Sequence, residues 1–300
     1  MSADFISLND YSQQDLLALL DLADDLKRKQ KAGELYQPLL GKTIAMLFEK
    51  PSLRTRVTFE VGIFQLGGQS TFMTTILGER ETVPDMARNL DRWVDGIVAR
   101  THSHDAVLEL AKYASIPVIN ALTDELHPCQ VLADAQTIRE HKGKLDGLKI
   151  AFVGDGNNMF ASWANLVTKF SFDLVLACPE GYELNNAVHD YASKNALGSY
   201  TITNDVQAAV KDADVVYTDV WASMGQEDEY KERLSVFMPY QINADLMALA
   251  KDDAVFMHCL PAHRGEEVTD EVMESSQSIV FDEAENRLHA QKAVMVTLMS

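Results

Sequence analysis

Between Ser12 and Lys29 the apolar residues Leu16, Leu19, Leu20, Ala23 and Leu26 fall on one helical stripe. Ser12, with Asp15 three residues on, supplies an N-cap, so this pattern predicts an amphipathic first helix. The apolar run Thr43 to Phe48 predicts a buried strand, followed by a Glu49-Lys50-Pro51 turn. A helix from Leu53 to Leu66 comes next and stops at Gly67-Gly68. Short strands are predicted at Ser70 to Met73, Gly96 to Ala99 and Pro117 to Asn120, separated by helical patterns at Pro84 to Trp93 and Asp105 to Tyr113. A helix from Pro128 to Glu140 then runs into the polar segment Lys142 to Gly147, a candidate boundary. Beyond it, strands at Lys149 to Val153, Leu174 to Ala177, Tyr200 to Ile202, Asp214 to Thr218, Ala254 to Met257 and Ser278 to Phe281 enclose helices at Met159 to Phe170, Ala187 to Lys194 and Ala244 to Ala250. The stretch Glu283 to Met299 is again helical, and at about 1.5 Å per residue it is long enough to return to the first domain.

Alternation of this kind predicts an α/β fold of two doubly wound domains, each with a central parallel sheet flanked by helices, joined by interdomain helices. The expected division is residues 1–140, with 283–300 packing back onto them, and residues 147–282. In open α/β sheets ligands bind outside the carboxyl ends of the strands, so the loops after each strand are where chemistry is expected.

A composition of 47% hydrophobic and 24% charged residues fits an ordinary globular core. The balance of 26 basic against 45 acidic residues, −19 overall, argues against a nucleic-acid partner. Any anionic ligand must be held by a local cluster. Three widely spaced cysteines, Cys129, Cys178 and Cys259, do not read as a disulfide framework, and a reducing, cytoplasmic setting is expected. The first residues carry no basic segment followed by an apolar run, so no secretory leader is expected. No run of about 18 apolar residues suggests a membrane span.

Ser52-Leu53-Arg54-Thr55-Arg56 lies at a helix start, where unpaired amides, the helix dipole and fixed guanidinium donors favour a phosphate. A capped helix with surface arginines is the plainer alternative. Arg100 is expected at a strand tip facing the same crevice, with His102 and His104 just beyond as solvated loop residues. In His127-Pro128-Cys129-Gln130 the proline suits a first helical turn, where the dipole keeps His127 neutral. Gln130 shares that helix face and can offer both amide groups to one ligand. Gly154-Asp155-Gly156-Asn157-Asn158-Met159 resembles a dinucleotide turn but has Met159 at the third glycine position, and the next acid, Glu180, lies late. Asn157 and Asn158 are better suited to grip a polar ligand or cap the helix. Cys259 sits at a strand end, as nucleophile, ligand or small buried residue. Zinc held by His258, Cys259 and His263 is disfavoured, because neighbours along a strand point to opposite sides. Neither a metal nor a cofactor is expected.

Taken together, Ser52 through Arg56, Arg100, His127 through Gln130, Asp219 through Gly225, His258-Cys259-Leu260-Pro261 and Glu285-Asn286-Arg287 resemble the aspartate/ornithine transcarbamoylase family, and within it the ornithine carbamoyltransferases. The likeness spans essentially the whole chain. It implies transfer of the carbamoyl group of carbamoyl phosphate to the side-chain amine of L-ornithine, giving citrulline, in arginine metabolism. Residues implied for carbamoyl phosphate are Ser52, the amide of Leu53, Arg54, Thr55, Arg100, His127, Gln130, Cys259, the carbonyl of Leu260, and Arg287. Those implied for ornithine are Asn158, Asp219, Ser223 and Met224, with Arg100, His127, Asp219 and Cys259 closest to the chemistry. The resemblance also implies a homotrimer or a multiple of trimers with sites near subunit interfaces. One departure is Ile76, which stands in the segment Thr75 to Glu81 where the family carries a polar residue reaching a neighbouring subunit's phosphate. A non-catalytic sensor of a phosphorylated metabolite and a nicotinamide oxidoreductase are the competing readings of the same residues.

Overall fold

The computed structural model describes residues 2–222 and 229–300. The chain divides into two compact units, Met1–Thr137 with Glu285–Ser300, and Ile138–Ala284.

In the first unit the order is α1 (Gln13–Lys31), β1 (Thr43–Phe48), α2 (Leu53–Gln65), β2 (Gln69–Thr74), α3 (Val83–Leu90), β3 (Gly96–Arg100), α4 (His104–Tyr113) and β4 (Val118–Leu122), after which α5 (Pro128–Lys142) begins. Polar side chains start these helices. Ser12 accepts from the Asp15 amide while Asp15 accepts from the Ser12 amide, and the Ser52, Thr82 and Ser103 side chains cap α2, α3 and α4 by accepting from the Thr55, Asp85 and Ala106 amides. The strands form a four-stranded parallel sheet in the order β2-β1-β3-β4 among the described residues. Ala45, Leu47, Ile97, Ala99 and Val118 pack from the sheet against Val83, Ala87, Val107 and Leu110 of α3 and α4.

The second unit runs β5 (Lys149–Val153), α6 (Asn158–Leu166), β6 (Asp173–Ala177), α7 (Ala187–Asn195), β7 (Tyr200–Thr203), α8 (Val206–Val210), β8 (Val215–Thr218), α9 (Tyr230–Phe237), α10 (Ala244–Met247), β9 (Val255–His258) and α11 (Asp270–Met273), and then α12 (Val280–Met299) begins. Its five strands are parallel in the order β7-β6-β5-β8-β9. Two parallel sheets flanked by helices are thus present, as the alternation predicts.

Both sheets reverse their strand order once. In the first unit the reversal falls between β1 and β3, whose last residues, Phe48 and Arg100, stand opposite each other. In the second it falls between β5 and β8, where Val153 stands opposite Thr218. Loops diverge at such a switch point and leave a crevice.

One predicted strand is absent. Ser278 makes a single bridge to Phe256, and Val280 already opens α12, so Ser278 to Phe281 is not a strand. A four-residue apolar run does not by itself distinguish strand from helix. Asp282 and Glu283, acids in the first turn of α12, favour the helix. Helices α8 and α11, of five and four residues, are too short for a readable period, and α9 has no side-chain cap to mark its start.

The glycines after β5 serve packing. Gly154 has φ +144°, and a Cβ on Gly156 would lie 2.2 Å from the Leu184 nitrogen and 2.7 Å from the Glu183 carbonyl carbon. Backbone therefore fills the space into which a dinucleotide turn would admit a pyrophosphate. Gly156→Ala is expected to destabilise the fold by about 1–3 kcal/mol through overpacking, read as a lowered guanidinium midpoint.

Candidate active site

At the switch point of the first unit, β1 runs out through Glu49 to the N-cap Ser52, whose hydroxyl accepts from the Thr55 amide at 3.2 Å. Leu53 is the first residue of α2, so its amide belongs to the unpaired set at that helix end. Thr55 is 1% exposed, and its hydroxyl accepts from Arg100 Nη1 at 3.3 Å and from Arg287 Nη2 at 3.2 Å. Arg100 ends β3, and Arg287 lies one-third of the way along α12. Both guanidinium groups are buried. Arg287 also donates to Gln130 Oε1. With its amide in the orientation that satisfies its neighbours, Gln291 accepts from Arg287 Nη2 and Nε at 3.1 and 3.2 Å and donates to Thr58 Oγ1 at 2.7 Å.

His127 precedes the proline that opens α5 and is buried. Its imidazole is held well below the ordinary histidine value, first by burial and then by the charges of Arg287, Arg100 and Arg54. Three guanidinium groups therefore raise the potential around one neutral ring. Gln130 is held at both ends: Nε2 donates to buried Asp134 at 2.9 Å and Oε1 accepts from Arg287. A ligand would therefore meet an amide whose orientation the fold has already set.

Glu49 organises the surrounding loops. Its carboxylate accepts from the Leu77 amide at 2.7 Å, the His102 amide at 2.8 Å and the Thr101 hydroxyl. Lys50, 7% exposed, pairs with Asp124. Arg56 turns elsewhere, donating to Glu60 at 3.1 Å with its guanidinium 3.7 Å from the Phe72 ring centroid. His104 meets Thr123 while His102 lies 3.4 Å from Asp124, so the two histidines do not converge. Ile76 is 57% exposed.

At the switch point of the second unit, Asn157 caps α6 by accepting from the Met159 and Phe160 amides at 2.9 and 3.2 Å. Its Nδ2 donates to Asp219 Oδ2 at 2.9 Å. Asp219 Oδ1 accepts from the Cys259 thiol at 3.0 Å and from the Val220 amide at 2.8 Å. Asn158 is the first residue of α6. Asp155 pairs with Arg233 at 2.9 Å, yet burial, reinforced by Asp219, raises its carboxyl above the usual range. Ser223 and Met224 lie outside the described residues.

The segment after β9 is fixed from behind. His258 and Glu267 are both fully buried, and His258 Nε2 lies 3.1 Å from Glu267 Oε1. His258 Nδ1 accepts from the Leu260 amide at 2.9 Å, which assigns the ring proton to Nε2. The His258 amide donates to Glu283 at 3.0 Å. Leu260 has φ +59° and is followed by a cis bond to Pro261. A left-handed leucine costs about 1–2 kcal/mol, and the hydrogen bond to His258 helps to hold it there. The donor atoms of Asp219, His258 and Cys259 lie within 4.8 Å of one another. Both His258 nitrogens are already engaged, so this arrangement offers an ion no imidazole lone pair.

A family model described as the carbamoyl-P binding domain of aspartate/ornithine carbamoyltransferase matches residues 3–140, and one described as its Asp/Orn binding domain matches residues 146–298. The chain belongs to the aspartate/ornithine carbamoyltransferase family. An ornithine carbamoyltransferase of Geobacter metallireducens is 53% identical over 302 residues, covering 100% of each chain. Another, from Thermococcus kodakarensis, is 54% identical, covering 99% of this chain and 96% of the relative. The solved ornithine carbamoyltransferase from Pyrococcus furiosus superposes with a TM-score of 0.95 at 51% identity, covering 99% of this chain and 96% of that one.

For this carbamoyltransferase family member, the structure gathers Ser52, Leu53, Arg54, Thr55, Arg100, His127, Gln130 and Arg287 in one unit, and Asn158, Asp219, Cys259 and Leu260 in the other. Glu49, Asn157's grip on Asp219, the His258–Glu267 pair and Gln291 were not legible as site residues. Each orients another group: Glu49 and Asn157 through partners 28 or more positions away, Glu267 and Gln291 through His258 and Arg287, nine and four positions away, spacings that match no motif. As pH falls through 6.5 the unfolded chain takes up a proton at position 127 that the folded chain refuses, so stability falls. His127→Gln is expected to flatten the slope of unfolding free energy below that pH, as measured by denaturant titrations across a pH series.

Proposed function

We propose that this chain transfers the carbamoyl group of carbamoyl phosphate to the side-chain amine of L-ornithine, giving L-citrulline and phosphate. The convergence of Arg54, Arg100 and Arg287 on buried His127, beside the Thr55 hydroxyl and the α2 N-terminus, carries this reading. In a chain of net charge −19, such a concentration of positive potential suits a phosphorylated substrate.

Ser52, the Leu53 amide, Arg54 and Thr55 hold the phosphate. Arg100 and neutral His127 donate to the carbamoyl oxygen, where negative charge grows on attack. Gln130, aligned by Arg287, and the carbonyl of Leu260 fix the carbamoyl amide. Asp219 and Ser223 hold the α-amino end of ornithine, Asn158 and the Met224 amide hold its carboxylate, and Cys259 lies beside the reacting amine. With a lysine-like pKa near 10.4, only roughly one ornithine side chain in 10³ is neutral at pH 7. Its nitrogen bonds to the carbamoyl carbon as the bond to the phosphate oxygen breaks, and the departing phosphate takes the proton. No protein nucleophile is required, so positioning and preorganised charge supply the rate.

Citrulline formation is assayed with ornithine, aspartate, putrescine and acetylornithine side by side, and ornithine is expected to be preferred. A metabolite sensor would form no citrulline. Arg54→Ala is expected to weaken carbamoyl phosphate binding by about 10- to 100-fold in calorimetry, since a charge-assisted contact contributes about 1.5–3 kcal/mol. Cys259→Ala is expected to spare that affinity and lower turnover with ornithine; equal loss of both overturns its role.

Cytoplasmic arginine biosynthesis and assembly into a homotrimer, or a multiple of trimers, complete the reading. Leu53, Val57 and Val61 form one exposed apolar stripe along α2, next to the edge strand β2, which supports association between copies. Light scattering is expected to give three times the mass of one chain, or a multiple of that.

A further inference from the structure

Away from the β1/β3 switch point, the C-terminal ends of α1 and α2 border a cavity of about 590 Å³ within the first unit, a volume typical of small-molecule sites. Leu26, Leu35, Tyr36 and Phe64 give it apolar and aromatic walls. Both helix ends close on themselves. The Gly33 and Glu34 amides donate back to the Gln30 and Lys29 carbonyls, and the Gly67 and Gly68 amides to those of Phe64 and Ile63, with Gly33 at φ +70° and Gly67 at φ +87°. Those carbonyl acceptors are therefore already engaged.

The charges on the wall reduce to one. Lys29 pairs with Asp25 at 2.6 Å, and Glu34 with Arg28 at 3.1 Å. Lys292, on α12 and 4% exposed, reaches the cavity with no carboxylate partner among the described residues. Its ammonium donates to the amide oxygens of Gln30 and Gln65 at 3.2 and 3.0 Å. The Nε2 groups of those glutamines remain as further donors. Burial pulls Lys292 down to about 8, as expected of a cation lacking an anion. The placement is built into the fold: Gly62 in the middle of α2 leaves room for the lysine stem, and a Cβ there would lie 3.1 Å from Lys292 Cγ.

We infer that this cavity binds a small monocarboxylate with an aromatic or apolar body, its carboxylate on Lys292 and the Gln30 and Gln65 amides, its body against Tyr36 and Phe64. One uncompensated cation suits a single negative charge, and the remaining donors suit carboxylate oxygens. The assignment is independent of the carbamoyl-transfer reading.

Calorimetric titration of the full chain with benzoate, and with benzamide as its uncharged counterpart, tests it. Benzoate is expected to bind with millimolar affinity, with benzamide and the Lys292→Met variant each at least about tenfold weaker. Equal affinity for the two compounds, equal benzoate affinity in wild type and variant, or no benzoate binding at all overturns the site. If Lys292→Met does not fold by circular dichroism, NMR titration of Lys292 Nζ in the wild type decides. Benzoate seated there raises that pKa, and an unchanged value rejects the assignment.

Discussion

Guanidinium groups leave water only at high cost, and the first unit buries two of them, Arg100 and Arg287, around a single threonine hydroxyl. The local order follows from meeting that cost. Neutral acceptors, Thr55 Oγ1, Gln130 Oε1 and Gln291, fix the planes of the guanidiniums. Asp134 holds Gln130 from behind. The same field keeps His127 neutral, so the ring serves as a hydrogen-bond donor rather than another cation.

The second unit solves the opposite problem. Its centre is a buried carboxylate, Asp219, held by an asparagine amide, a thiol and a backbone amide, all neutral donors. In the proposed reaction this carboxylate faces the ammonium end of ornithine, as the arginines of the first unit face the phosphate. The two sheets place these complementary groups alike, each at the point where strand order reverses. A parallel sheet brings the ends of sequence-distant strands together there and lets loops supply the chemistry.

Much of this was legible in the chain. Uninterrupted apolar runs marked the buried parallel strands, and serine and threonine caps marked helix starts. Arginines at a helix N-terminus in an acidic sequence pointed to an anion. Illegibility had two physical causes. Four-residue segments such as Ser278 to Phe281 span barely one helical period, too few for a pattern, so flanking residues decide them, here the acids that open α12. Positioning residues such as Glu49 and Asn157 act through partners 28 or more positions away, and no local spacing encodes such a pair. Gln130 illustrates the limit: its helix face was readable from Pro128, but its capture by Arg287, 157 positions away, was not.

Glu49 adds a mechanical property. One carboxylate joins the loops that follow β1, β2 and β3. Moving any one of the three away breaks a bond to a carboxylate that the other two also hold, which couples their positions. A substrate arriving there meets a hinge-poor frame, and the entropy of ordering its walls has already been spent during folding.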